Sequence, residues 1–174
     1  MTNVQDHIRF DGRVAIVTGA GAGLGRQHAL ALASRGAKVL VNDFSSPLAM
    51  NQSSTSSAAE SVVAEIRNAG GIALANNASV TDFDAMKKMV DEVMNHWGRI
   101  DILVNNAGIL RDKSFTKMDL NDFRLVVDVH LMGARGSNQL GRKFDSIKSM
   151  GFAFSAAILF KIRGLALTNS TNFT

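Results

Sequence analysis

The chain of 174 residues has no cysteine, no tyrosine, a single proline and a single tryptophan. Without cysteine there is no disulfide framework, no thiolate zinc site and no cysteine nucleophile. One proline, Pro47, with 46% hydrophobic and 20% charged residues excludes a collagen-like, low-complexity or disordered chain. No apolar run reaches the roughly 20 residues that span a bilayer. The longest apolar region, residues 150–167, is interrupted by Lys161, Arg163 and Gly164. Asp6 and Arg9 occupy the first ten residues, where a secretory leader would need an apolar stretch. The expectation is a globular, membrane-free protein of a reducing compartment such as the cytoplasm. At this length folding buries roughly 70% of the unfolded chain's surface, enough for a core without covalent staples.

The net charge of +4 is not evenly spread. Residues 1–134 hold 13 Lys+Arg against 14 Asp+Glu, whereas residues 135–174 hold 6 against 1. Basicity confined to a tail raises the possibility of a polyanion partner. The tail's aromatics are all Phe and stand apart from its cations, so it lacks a stacking platform and nucleic acid is not expected.

What is present is a repeating alternation. Residues 13–18 form a short β-branched run that ends in glycines, the pattern of a strand buried on both faces. An Ala/Leu-rich helix follows over residues 24–34 and ends at Gly36, then a second buried strand over residues 38–43. A Ser-rich loop, residues 45–56, leads to Ser57 and Glu60, the S-x-x-E capping box of a helix reaching Ala69. Residues 72–76 read as a third strand and residues 102–104 as a fourth. Between them Met86, Met89, Val90, Val93, Met94 and Trp97 recur at helical spacing, a packing stripe closed by Gly98. Phe123, Val126, Val127, His130, Leu131 and Ala134 hold the same spacing, with Asp119 as the N-cap. Strands alternating with helices predict an α/β protein with a doubly wound parallel sheet. Residues 1–134 carry the pattern; residues 135–174 form a basic tail without it, in which residues 152–162 read equally as strand or buried helix.

Two motifs carry chemistry. Thr18-Gly-Ala-Gly-Ala-Gly-Leu-Gly25 lies directly after a strand and before a helix, where glycines let backbone approach a pyrophosphate at a helix N-terminus. Asp43 ends the second strand, where its carboxylate can accept hydrogen bonds from ribose hydroxyls. A 2′-phosphate would be repelled there, and Phe44, Ser45 and Ser46 offer no cation to neutralise it, so NAD is expected over NADP.

The spacing Thr18-Gly-x-x-x-Gly-x-Gly25, followed by Asn105-Asn-Ala-Gly108, resembles the short-chain dehydrogenase/reductase family. Residues 9–13, the glycine loop, Val41-Asn-Asp43, the Ser-rich loop and residues 105–115 resemble in particular the (3R)-3-hydroxyacyl-CoA dehydrogenase domains of peroxisomal multifunctional enzymes and their bacterial relatives. The resemblance runs over about residues 9–134 and implies a Rossmann-type fold, an NAD cofactor, an acyl-CoA-type substrate and, in the family, a homodimer. It implies that Gly19, Gly23, Leu24 and Gly25 line the pyrophosphate, that Asp43 holds the ribose, and that Ser79 and Val80 lie near the adenine. Ser79 departs from the Asp common at that place in the broad family. Asn105, Asn106, Ala107 and Gly108 would lie beside the nicotinamide ribose.

His130 falls where many members carry the Asn of their catalytic tetrad, and the multifunctional enzymes also use His-Leu. From the residues alone, a His on a helix's apolar stripe is more often a packed core or boundary residue than a catalyst, and His130 stands as the candidate catalytic residue between those two readings. His7, His28 and His96 have no partnered motif.

The family removes the alcohol proton with a Tyr made acidic by a Lys in Tyr-x-x-x-Lys, helped by a Ser that orients the substrate. This chain has no tyrosine, so the motif is absent, and Ser149, Ser155 and Lys161 do not replace it. The break near Ala134 reads as an altered C-terminus, from frameshift, intron read-through or alternative splicing, in a protein truncated relative to its family. Two function classes stand: an NAD-dependent oxidoreductase by descent, or a catalytically silent nucleotide-binding fragment or regulator. A 3-oxoacyl-[acyl carrier protein] reductase shares the Arg111-Asp112 segment but usually takes NADP, against Asp43. A peroxisomal location is the alternative to the cytoplasm.

Overall fold

The structure, a computed structural model, describes residues 8–44, 57–111, 117–141 and 148–149. The Ser-rich loop, Asp112 and most of the basic tail, including Ser155, Lys161 and residues 152–162, lie outside the described residues. The strands are β1 (Val14–Thr18), β2 (Lys38–Asn42), β3 (Ile72–Asn76), β4 (Ile102–Val104) and the two-residue β5 (Lys148–Ser149). The helices are α1 (Gly23–Ser34), α2 (Ala58–Asn68), α3 (Phe83–Trp97), α4 (Leu120–Val127) and α5 (Gly133–Gly141), with a π-helical turn, Asp128–Met132, joining the last two.

The strands pair in the order β3-β2-β1-β4-β5, and every pairing is parallel. Successive side chains of a strand point to opposite faces, and β1 uses both. Ala15 and Val17 pack with Val39 and Val41 against Ala29 and Ala33 of α1 and Val62, Val63 and Ile66 of α2. Val14 and Ile16 pack with Leu40 against Met86, Met89, Val90 and Val93 of α3. Both faces are covered, which is why these strands read as continuous apolar runs. Ser137 of α5 lies beside Met86 and Met89 on the second face. The result is the α/β, Rossmann-type doubly wound sheet that the alternation implies.

The helix starts follow local chemistry. Ser57 Oγ accepts from the Glu60 N–H and the Glu60 carboxylate accepts from the Ser57 N–H, completing the capping box. Asp82 and Asp119 cap α3 and α4 with their side chains alone, accepting from the N–H groups of Ala85 and Asn121. The end of the helical pattern departs from uniform α-helical spacing. The π turn inserts extra backbone between α4 and α5, so the stripe through Phe123 and Leu131 loses its register. Phe123 and Leu131 remain exposed, and no residue of α4 is buried. Helical structure also runs past Ala134 to Gly141.

Asp101 fastens the amino-terminal end of the sheet. It is buried at the start of β4, where its Oδ2 accepts from the Val14 N–H at 2.8 Å. Its carboxylate also accepts from Arg13 Nη1 and Arg99 Nε, each at 2.9 Å. Burial pushes the carboxyl pKa up, but the hydrogen bonds from Arg99, Val14 and Arg13 outweigh it and hold the pKa at about 2, below the model-peptide 3.8. A carboxyl more acidic in the folded state adds stability above its unfolded pKa and loses it on acidification. Stability from Asp101 should therefore be complete above about pH 5 and fall between about pH 4 and 2, by on the order of 2 kcal/mol. Asp101→Asn should lower stability at neutral pH and remove that part of the acid dependence, as read by denaturant melts from pH 2 to 7.

Candidate nucleotide-binding site

The carboxyl ends of β1, β2 and β4 meet where strand order reverses around β1, the place at which open α/β sheets bind ligands. The glycine loop leaves β1, Asp43 follows β2, and residues 105–108 follow β4. Topology thus brings together three segments separated by up to 90 positions.

Helix α1 opens without a side-chain cap at Ala22 and without an acid in its first turn, unlike α2, α3 and α4. Its first N–H groups and the positive end of its dipole are available to an anion. Gly19 has φ 62° and lies against the backbone of Ala107, where a Cβ would come within 2.7 Å of Ala107 Cα. Gly25 sits beneath the loop, in α1; a Cβ there would lie 2.1 Å from the Gly19 carbonyl oxygen. Its role is to let helix and loop approach. Gly23 stands in open space with φ 55°, and Leu24 beside it is largely exposed.

Asp43 Oδ2 accepts from the Gly21 N–H at 2.8 Å, which ties the loop to the end of β2. A Cβ on Gly21 would meet Asp43 Cγ at 2.7 Å and Ala58 Cβ at 2.6 Å. The spacing motif does not count Gly21, and the signal that could have found it is only its place opposite an acidic strand end.

Thr18 is the second residue that motif reading left without a role. Its buried hydroxyl oxygen accepts from the N–H groups of Asn106 and Ala107, each at 3.1 Å, and donates to the Val104 carbonyl at 3.4 Å. Asn106 Nδ2 returns the contact, donating to the carbonyls of Thr18 at 3.0 Å and Gly19 at 2.8 Å. Asn105 is half-buried beside this junction.

Between these segments opens a cleft of about 160 Å³, lined by Gly19, Asn42, Asp43, Ala78, Val80 and Ala107 among others. Ser79 and Gly108 also line it. Ser79 Oγ is 2.8 Å from Thr81 Oγ1 and accepts from the Thr81 N–H at 3.3 Å, a local turn contact. A larger groove of about 410 Å³ lies on the far side of Val80, between α3 and α5, and contains none of the glycine-loop residues.

His130, on the π turn, directs Nε2 at the backbone of Ile109, 3.1 Å from its nitrogen and 2.9 Å from its oxygen. The approach requires Gly108, because a Cβ there would stand 2.7 Å from His130 Cε1. The ring is thus brought to the end of the Asn105–Gly108 segment and engaged with main chain.

A glycine loop, an uncapped helix start and an acidic second strand on a parallel sheet define a nucleotide-binding α/β fold. Residues 13–140 match the short chain dehydrogenase family, and the chain belongs to it. It is 51% identical over 134 residues to the peroxisomal multifunctional enzyme type 2 of Drosophila melanogaster, covering 77% of this chain and 22% of that protein. It is 46% identical over 121 residues to a 3-oxoacyl-[acyl-carrier-protein] reductase of Synechocystis, covering 70% of this chain and 45% of that protein. Among solved structures, a short chain dehydrogenase from Mycobacterium avium superimposes with a TM-score of 0.71 at 44% identity, covering 77% of this chain and 46% of the other. The chain spans less than half the length of each of these relatives.

Thr18→Val keeps the shape of the side chain but leaves the Asn106 and Ala107 N–H groups unpaired in a part-buried site. It should cost about 1–3 kcal/mol in denaturant melts, whereas Thr18→Ser should cost less than half of that.

Proposed function

We propose that this chain binds NAD across the carboxyl ends of β1, β2 and β4, as the cofactor-holding region of a short-chain dehydrogenase for (3R)-3-hydroxyacyl-CoA esters. Asp43 carries this proposal. The Gly21 N–H holds one carboxylate oxygen at 2.8 Å, which turns the group toward the cleft as an acceptor for a ribose diol. A fixed carboxylate accepts hydroxyls and repels a 2′-phosphate, so NAD is favoured over NADP.

The glycine loop fits a pyrophosphate, since it offers backbone N–H groups at the uncapped start of α1 and no side chain to block approach. Gly19, Gly23 and Leu24 would hold it through main chain, with Gly25 allowing the loop to seat. Ser79 and Val80 would border the adenine, and Asn105, Asn106, Ala107 and Gly108 the nicotinamide ribose. The nicotinamide supplies a hydride acceptor when bound. Removing the alcohol proton then needs a general base, and the 174 residues contain no tyrosine. His130 lies with Asn105 and Ala107 around a small recess beside that end of the cleft, and its Nε2 is engaged with the Ile109 backbone. We therefore assign it to support of the Gly108–Ile109 main chain and not to proton transfer.

The exposed apolar side chains of α4 and the π turn, Leu120, Phe123, Leu125, Leu131 and Met132, support a homodimer as in the family. Relatives named as peroxisomal enzymes support that compartment over the cytoplasm, while the acyl-CoA substrate rests on the resemblance of residues 9–13, 41–43 and 105–115. The Synechocystis relative supports an acyl-carrier-protein substrate instead, with Asp43 the feature against it.

Titration with both nucleotides should give tighter binding of NAD than of NADP, and Asp43→Ala should narrow the difference. Equal or tighter NADP binding by the unsubstituted protein would overturn the assignment. Gly21→Ala should weaken NAD binding at least as much as Asp43→Ala, because it displaces the same carboxylate.

A positioned base typically contributes about 10²–10⁴-fold to such a reaction. Oxidation of a 3-hydroxyacyl-CoA, followed by nicotinamide absorbance, should accordingly stay at background even with NAD bound. Clear turnover lost in His130→Ala would promote His130 to general base.

A further inference from the structure

Asn42, the last residue of β2, is buried and lines the cleft, and within the segment Val41-Asn-Asp43 the resemblance gives a role only to its neighbour Asp43. Its side-chain nitrogen donates to the Ala78 carbonyl at 2.9 Å and to Asn76 Oδ1 at 3.1 Å. Asn76 Oδ1 also accepts from the Ala78 N–H at 2.9 Å, and Asn76 Nδ2 donates to Glu92 Oε2 on α3 at 3.0 Å.

The direction of every bond follows from one group that can only donate. The Ala78 N–H requires an oxygen on Asn76; the atom of Asn42 facing that oxygen and the Ala78 carbonyl must then be nitrogen. The remaining atom of Asn76 is therefore the amide nitrogen, and a carboxylate, Glu92, is there to receive it. Both backbone polar groups of Ala78 are held by this relay. The main chain of Asn42 acts on the opposite wall, since its carbonyl accepts from the Ala20 N–H of the glycine loop at 2.8 Å. Next to it the Asp43 N–H donates to the Asn76 carbonyl at 3.0 Å. One residue thus sets the separation between the glycine loop and the segment Ala78–Ser79–Val80.

We infer that the relay Asn42, Asn76 and Glu92 positions the Ala78–Val80 wall of the cleft and thereby sets affinity for the adenosine half of the nucleotide. None of the three is a catalytic residue; they act through the backbone of Ala78. The inference rests on the cofactor assignment above. It departs from it in locating adenosine affinity in a helix residue, Glu92, that does not line the cleft.

The test is calorimetric titration of the purified 174-residue protein with ADP-ribose and, separately, with NAD. Glu92→Ala lies at the half-buried end of the relay, at a residue that belongs to neither hydrophobic cluster, and serves where Asn42 variants do not fold. Loss of one or two hydrogen bonds is worth about a 2- to 10-fold weakening. Glu92→Ala and Asn76→Ala should each weaken ADP-ribose and NAD binding within that range. Glu92→Gln, which keeps an oxygen for Asn76 Nδ2, should restore most of it. Asn76→Asp should not, because it sets a second carboxylate against Glu92. Unchanged ADP-ribose affinity in folded Glu92→Ala and Asn76→Ala, or equal weakening by Glu92→Gln and Glu92→Ala, would overturn the relay while leaving NAD binding by the parent intact. Failure of the unsubstituted protein to bind either nucleotide would overturn the cofactor assignment, and the relay's role with it.

Discussion

The contact between Asn106 and the Thr18–Gly19 backbone governs the rest of the cleft. Strands β1 and β4 are parallel neighbours, but β4 has only three residues, so its ladder alone holds little at the carboxyl end. The polar junction beyond it ties the two exits together with two amide donors going one way and a hydroxyl accepting two N–H groups the other. Bonds of this kind add only about 1 kcal/mol each when made, yet leaving their partners unpaired costs more. The junction is therefore specific before it is strong. It permits one placement of Gly19 against Ala107, and from that placement the loop, the start of α1 and the wall at residues 106–108 all follow.

Two carboxylates at opposite ends of the sheet illustrate how surroundings assign roles. Asp101, buried at the amino end, meets two guanidinium groups and a backbone N–H, so its charge is consumed by structure. Asp43, at the carboxyl end, is held by a single backbone N–H and faces the cleft, leaving acceptor capacity for a ligand. The same division separates the helix starts. Ser57, Asp82 and Asp119 spend their side chains on the N–H groups of α2, α3 and α4, whereas the glycine loop leaves those of α1 to an incoming anion.

Much of this was legible in the linear chain. The buried strands announced themselves as β-branched runs, α3 as a methionine stripe, and α2 through a capping box whose two hydrogen bonds are both present. The glycine loop and Asp43, which the structure brings to one cleft, could be picked out because both signals are local, a few residues read against their immediate neighbours. The stripe through Phe123, His130 and Leu131 was harder to read, since a π turn changes the angle between successive residues without any marker in composition. The functions of Thr18, Gly21, Asn42 and Asn76 were invisible, because each is defined by a partner, and for Thr18 that partner lies 88 positions away.

The sequence by itself determined the class of fold, the order of its elements, the glycine loop between β1 and α1 and the missing tyrosine, because period, glycine spacing and residue inventory are properties of the chain alone. Only the tertiary structure decided which side chains are consumed in holding the cleft and which remain for a ligand. That distinction depends on the donors and acceptors brought within 3 Å by strand pairing, and parallel pairing joins segments that the linear order keeps far apart.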